Sequence, residues 1–178
     1  MPELAGAVDE DVMLPDNRRL RVRSLRWCEE RAVRELYRRL SPRTRYLRFF
    51  SPMPELPDSV LRLLTCFDRR RGIALLGELD TPAGEEVVAL GSFGATDEGL
   101  AEVGLVVSDE WQHHGIGTVI ADRVLRAAEA RGFHHFVAHA LWDNQAIRRL
   151  LRRVGAIVST RTRQGVTEIS FVPRYQTR

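Results

Sequence analysis

Lysine is absent from this chain of 178 residues, whose 27 basic residues are all arginine. The absence rules out a Walker-type phosphate loop, which needs a lysine to reach the phosphates. Cysteine is nearly as scarce. Cys28 and Cys66 are too few for a disulfide framework and lack metal-ligand spacing, so both read as small reduced hydrophobes. None of the five histidines has a partner at metal-binding spacing, and no metal is expected. No run approaches the roughly 18 apolar residues of a membrane span, and the opening Met1-Pro2-Glu3-Leu4-Ala5-Gly6 lacks the basic start and apolar core of a secretion signal. A cytoplasmic protein with no membrane partner is the expectation.

What is present suits a globular enzyme or binding module. The apolar share is 44%, and the length accommodates one domain with a substantial core, expected over residues 11–178 behind a flexible N-terminus of residues 1–10. The arginines are scattered and opposed by 24 acids, and no groove-reading motif accompanies them, so nucleic acid is not an expected partner. Runs such as Arg69-Arg70-Arg71 and Arg148-Arg149 read as solvated faces or as a basic rim for an anionic ligand.

Periodicity orders the chain. Val12, Leu14, Leu20 and Val22 flank Asp16-Asn17 as a hairpin would. Ala32, Val33, Leu36, Tyr37 and Leu40 repeat with helical spacing until Ser41-Pro42 stops them, and a second helix is expected from Asp58 to Phe67. Three strands follow, Gly72 to Leu79, Glu86 to Phe93 and Glu102 to Val107, joined by turn signals into an antiparallel meander. Then come a helix from Thr118 to Ala130, a strand from Phe133 to Leu141, a helix from Asn144 to Val154 and a last strand from Gly165 to Val172. The order implies an α/β fold: a central mixed, mostly antiparallel sheet with helices on both faces.

The most informative stretch is Val106-Val107-Ser108-Asp109-Glu110-Trp111-Gln112-His113-His114-Gly115-Ile116-Gly117-Thr118, in which an apolar strand empties through a glycine turn into a helix. Gly115 and Gly117 leave the backbone N–H groups of the turn open, and the helix dipole favours negative charge there, so the segment is an anion cradle suited to a pyrophosphate. A dinucleotide fingerprint would need a third glycine.

The Q-x-x-G-x-G pattern of Gln112, Gly115 and Gly117 resembles the acetyl-CoA loop of the GNAT (GCN5-related) N-acetyltransferases. The resemblance implies a GNAT fold, acetyl-CoA as co-substrate, and cofactor contacts from Gln112, His113, His114, Gly115, Ile116, Gly117 and Thr118. It also implies that the preceding strand splays from its neighbour, freeing backbone groups of Leu105, Val106 and Val107 for the pantetheine arm and the thioester oxygen. Glu102, ten positions before Gln112, matches the carboxylate proposed as general base in similar bacterial enzymes. An amine of pKa about 10.4 must lose its proton before it attacks. About 13 Å of strand separates Glu102 from Val106, so a bridging water is one expected route. The alternative for Glu102 is a surface carboxylate paired with an arginine.

Asn144 stands where the family carries an asparagine on the pantetheine arm, and it also suits a helix N-cap. Seven residues later many relatives carry a tyrosine acid, but this chain has Leu151 in an apolar stripe. A thiol of pKa about 8.5 can leave unassisted as an anion. His139 borders the acceptor cleft in this reading, or is merely held by a neighbour.

Leu40-Ser41-Pro42-Arg43-Thr44-Arg45-Tyr46-Leu47-Arg48-Phe49-Phe50 resembles the LSPxSRYLRFF segment of bacterial Pat-type protein lysine acetyltransferases. That likeness assigns Arg45, Tyr46 and Arg48 to the acceptor side and implies a protein lysine acceptor, for instance on an acyl-CoA synthetase. The plain alternative for the segment is an amphipathic helix end. A small amine such as a polyamine, aminoglycoside or amino acid, or a non-catalytic acyl-CoA-sensing role, stays open at this point, as does a homodimer. The missing lysines read either as coding bias or as avoidance of self-modification.

Overall fold

A computed structural model describes residues 7–174 apart from Cys28, Phe67 and Arg69. The expectations placed on residues 1–6, on Cys28 and on the Phe67 end of the second helix lie outside the described residues. The strands β1 (Asp9–Met13), β2 (Arg19–Ser24), β3 (Gly72–Thr81), β4 (Gly84–Ala95), β5 (Ala101–Val107), β6 (Phe136–Leu141), β7 (Gly155–Arg163) and β8 (Val166–Pro173) form one sheet in the order β1-β2-β3-β4-β5-β6-β8-β7. Every neighbouring pair is antiparallel except β5 with β6.

The helices cover both faces, as the apolar periods demand. On one face α4 (Ile116–Glu129) and α5 (Gln145–Val154) bury Ile116, Ile120, Val124, Leu125, Leu151 and Val154 against Leu75, Leu79 and Phe136. On the other, α1 (Glu30–Arg39) and α3 (Asp58–Thr65) bury Val33, Leu36, Tyr37, Leu61 and Leu64 against Ala74, Leu76, Leu90 and Val106. Each such side chain contributes about 1.5–3 kcal/mol of transfer free energy. β3 supplies both layers with alternate residues, which is why it is almost continuously buried.

Four elements differ from the sequence reading. Asp9 and Glu10, expected in a loose N-terminus, pair with Arg23 and Val22, and the Ser24 N–H donates to the Val8 carbonyl at 2.7 Å. Ser41-Pro42 ends α1 as expected but also starts a further helix, α2 (Pro42–Phe49): the Ser41 hydroxyl accepts from Thr44 N–H at 3.1 Å, and proline suits the first helical position. β7 carries almost no apolar signal because it is an edge strand, exposed from Val158 onward and rich in threonine and arginine, a composition that discourages pairing with another chain. The β6 strand starts at Phe136 rather than Phe133, whose ring packs on Phe93 at 5.5 Å between centroids.

Candidate active site

The loop between β5 and α4 carries a row of open amides. Gly115 caps α4 with φ +87°, a left-handed conformation that glycine adopts without strain. Among the described residues, the backbone N–H groups of His113, His114, Gly115, Ile116 and Gly117 find no protein acceptor. A methyl on Gly117 would project toward Leu105, Val107 and Leu150 at 3.6–3.9 Å, into a cleft of about 330 Å³ bounded by the loop on one side and Asn144, Ala146, Ile147 and Arg149 on the other. Arg149 and Arg153, one turn apart on α5, add positive charge to that rim. The donor set therefore fits a polyanion.

Other side chains hold the loop in place, Gln112 while also lining the cleft. His114 meets Asp16 through Nδ1 at 3.1 Å and stacks edge-on with Trp111, while the Arg18 guanidinium lies 4.7 Å from the Trp111 ring. Pro15 fills the space beside Gly115. The β1–β2 turn is thus a buttress for the loop. Ile116 is buried, and only its backbone is available. Gln112 Nε2 donates to the Val107 carbonyl at 3.1 Å, and the Thr44 hydroxyl lies 3.4 Å away, so Gln112 ties the end of β5 to α2. Asp109 completes the clamp by accepting from Ser41 N–H at 2.8 Å, Ser41 Oγ at 2.6 Å and Thr44 Oγ1 at 2.7 Å. Burial alone would raise the Asp109 carboxyl, but the Ser41 and Thr44 donors outweigh it and hold the group below the ordinary carboxylate range.

β5 and β6 pair only from Ala101 to Val103 and then diverge. Ala101 donates across to His135, whereas Ser108 donates to Val88 on the opposite side, so strand alternation turns the N–H groups of Leu105 and Val107 into the opening. Val106 pairs with Leu90 and its side chain is core, while the residue also borders the donor cleft between Leu105 and Val107. Behind the opening lies a cavity of about 90 Å³ with walls from α4, α5 and β8, including Leu125, Leu151 and Phe171. Leu151 is an apolar wall here, as its stripe indicated. Asn144 accepts from Ile147 N–H at 3.2 Å as the N-cap of α5, and it also borders both the cavity and the donor cleft, so the two roles coexist in geometry.

On the α2 side a groove of about 750 Å³ runs over the ends of β3, β4 and β5, with Phe49, Val60 and Leu63 as apolar wall and Asp68, Asp97 and Glu102 as acids. Glu102 lines both this groove and the inner cavity. Its Oε1 meets His139 Nδ1 at 3.1 Å, and His139 Nε2 faces Glu168 at 3.6 Å, which makes a carboxylate–imidazole–carboxylate row across β5, β6 and β8. Arg48 borders the donor cleft, the cavity and the groove together. It is half-buried, and desolvation lowers its guanidinium below the ordinary value against the opposing pull of Glu102.

Of the acceptor-side expectations, Glu102, Arg48 and His139 are brought together, but Arg45 and Tyr46 are not. Arg45 donates to the carbonyls of Pro54 and Arg38 at 2.7 and 3.1 Å and covers the Tyr37 ring, and Tyr46 lies exposed on the far side of α2. Positions 45 and 48 are one turn apart on neighbouring parts of the same helix side, so the split comes from what each meets: the Pro54 and Arg38 carbonyls hold Arg45, whereas Arg48 lies over Gly104. The sequence reading missed Thr44, Leu47, Arg149 and Arg153 as cleft residues. The i, i+4 pair of arginines on α5 was the available signal.

A family model described as "Acetyltransferase (GNAT) family" matches residues 31–156. An acetyltransferase of Pseudomonas aeruginosa is 26% identical over 145 residues, which cover 81% of this chain and 78% of that protein. The crystal structure of the GNAT domain of S. lividans PAT superposes with a TM-score of 0.81 at 24% identity, covering 92% of this chain and 96% of that one. The structure of yncA of Salmonella typhimurium, solved with its cofactor acetyl-CoA, gives 0.66 at 17% identity over 85% and 91%.

Proposed function

The chain belongs to the GNAT acetyltransferase family, and from that premise we propose that it carries an acetyl group from acetyl-CoA directly to a primary amine, with a protein lysine as acceptor and Glu102 as general base. The observation that carries the reading is the divergence of β5 from β6, which joins an amide-lined, arginine-rimmed cleft to an acid-bearing groove through one opening. The diphosphate of the donor sits on the N–H row of residues 113–117, next to Arg149 and Arg153, where helix dipole and charge-assisted hydrogen bonds act together. The pantetheine arm follows Leu105, Val107 and Asn144 toward the opening.

The groove on the other side is wide and open to solvent, with apolar wall for methylene groups and acids for an ammonium. That shape suits a side chain presented by another protein, the acceptor that the Pat-like segment Leu40 to Phe50 also implies. Glu102 removes the ammonium proton directly or through one water, and its His139 contact gives that proton a path toward Glu168 and solvent. The freed amine attacks the thioester carbonyl held at the opening.

The test is to incubate the protein with isotope-labelled acetyl-CoA and either a lysine-bearing protein or a polyamine, following CoA release and locating the label by mass spectrometry. Label on a lysine side chain of the acceptor protein is expected, and the enzyme itself offers no lysine to confuse the count. Release only with the small amine would reassign the acceptor. No release with any amine would remove the transferase reading.

A further inference from the structure

Leu151 stands in an apolar wall of the inner cavity, so that position supplies no acid for a departing thiolate. The same opening holds an arginine whose structural partners are hard to find. Arg48 has no hydrogen bond or ion pair to any described residue, only the ring of Phe49 beneath it at 5.1 Å. A charged guanidinium so placed is costly unless it has a ligand to meet. Its head lies over the backbone of Gly104, at the point where β5 leaves β6: a Cβ on Gly104 would stand 2.7 Å from Arg48 Cζ. The glycine is what lets the guanidinium reach the strand. Leu105, the next residue, turns its N–H into the same opening.

We infer that Arg48 is a catalytic residue that donates hydrogen bonds to the thioester carbonyl oxygen as it becomes an oxyanion, and then to the thiolate as it leaves. The inference rests on the proposed acetyl transfer and deepens it. Leu105 N–H approaches the oxygen in the plane of the sheet, and Arg48 approaches from the α2 face. The amine nitrogen forms its bond to the carbonyl carbon, the π pair moves to oxygen beside the guanidinium, and the pair returns as the C–S bond breaks. The acceptor ammonium loses two protons in the cycle: one reaches the CoA sulfur and one reaches solvent. Arg48 gives up none, because a guanidinium stabilises charge without transferring a proton. It therefore serves in place of an acid without being one.

The decisive measurement is the steady-state kinetics of Arg48→Ala at pH 7 and pH 9 with a lysine acceptor, alongside Arg48→Lys and Gly104→Ala. Loss of one oxyanion donor predicts a fall in kcat of about 10²–10³-fold in Arg48→Ala at both pH values, with KM for acetyl-CoA almost unchanged. Added guanidinium chloride at millimolar concentration should restore part of the rate, which a merely structural arginine would not allow. Arg48→Lys should keep part of the activity as a point charge without the fork. Gly104→Ala should fold, since only a flexible side-chain end stands in the way, yet lose kcat without rescue by guanidinium. A kcat for Arg48→Ala near that of the active parent would overturn the inference while leaving the transferase reading intact. So would a deficit that disappears at pH 9, which would assign Arg48 to keeping Glu102 ionised, or a change confined to the acceptor KM. An inactive parent would instead refute the reading on which the inference rests.

Discussion

Gly117→Val separates the donor cradle from the fold. The first carbon of the new side chain meets Leu105, Val107 and Leu150 at 3.6, 3.7 and 3.9 Å, ordinary contact distances, so nothing in the core must move. Glycine is also a poorer helix former than valine, so the first turn of α4 loses no stability by the exchange. The two methyl groups beyond that carbon reach into the cleft of about 330 Å³ and cover amides of the row. One charge-assisted hydrogen bond to a phosphate is worth about 1.5–3 kcal/mol, which corresponds to about 10–150-fold in Kd. Calorimetric titration with coenzyme A should show that loss, while the thermal unfolding midpoint stays close to the parent's. An unchanged affinity would refute the cradle, because the blocked amides would then not be the ones that hold the ligand.

Three further outcomes follow from other parts of the structure. Glu102→Gln should retain coenzyme A affinity and lose turnover most at pH 7, where an amine of pKa about 10.4 is protonated; a parental rate at pH 7, or an equal loss at pH 9, would remove Glu102 as base. Glu78, 5% exposed, accepts from Arg23 Nε at 2.8 Å, and Arg23 also donates to Glu29 at 2.8 and 2.7 Å, so Glu78→Ala should cost about 1–3 kcal/mol in urea unfolding, the loss of one buried charge-assisted partner; a cost near zero would show that Glu29 alone satisfies Arg23. Asp109 titrates below its ordinary value of 3.8, so the stability it lends to the clamp between α2 and the donor loop is full above that value and is lost as pH falls through the lower folded-state value. Unfolding midpoints measured from pH 5 down to pH 2 should fall more steeply in the parent than in Asp109→Asn, and parallel curves would contradict the clamp.

Much of the architecture was legible because it rests on local periodicity. The Ala32 to Leu40 spacing, the stripe of α5 and the alternation of β5 each follow from which side of an element must be dry, and each survives in the structure with shifts of a few residues at the ends. The elements that escaped were those without such a signal. β7 pairs through its backbone on an edge and shows solvent a row of threonine and arginine, and α2 begins at a serine–proline pair that could equally mark an end.

The site divides in the same way. The glycine loop, Asn144 as helix cap, Leu151 as apolar wall and Glu102 as the strand carboxylate are properties of short segments, and the chain order alone determined them. Arg45 and Arg48 sit three residues apart in the same arginine-rich run, and only packing distinguished them: one is engaged by the carbonyls of Pro54 and Arg38, the other lies over Gly104 at the opening between β5 and β6. The tie between Gln112, Thr44 and Asp109, the support of the loop by Asp16 and Pro15, and the His139 row across three strands likewise join residues distant in the chain. A linear pattern records the face on which a side chain emerges; which group it meets there depends on how the sheet twists and where its strands part.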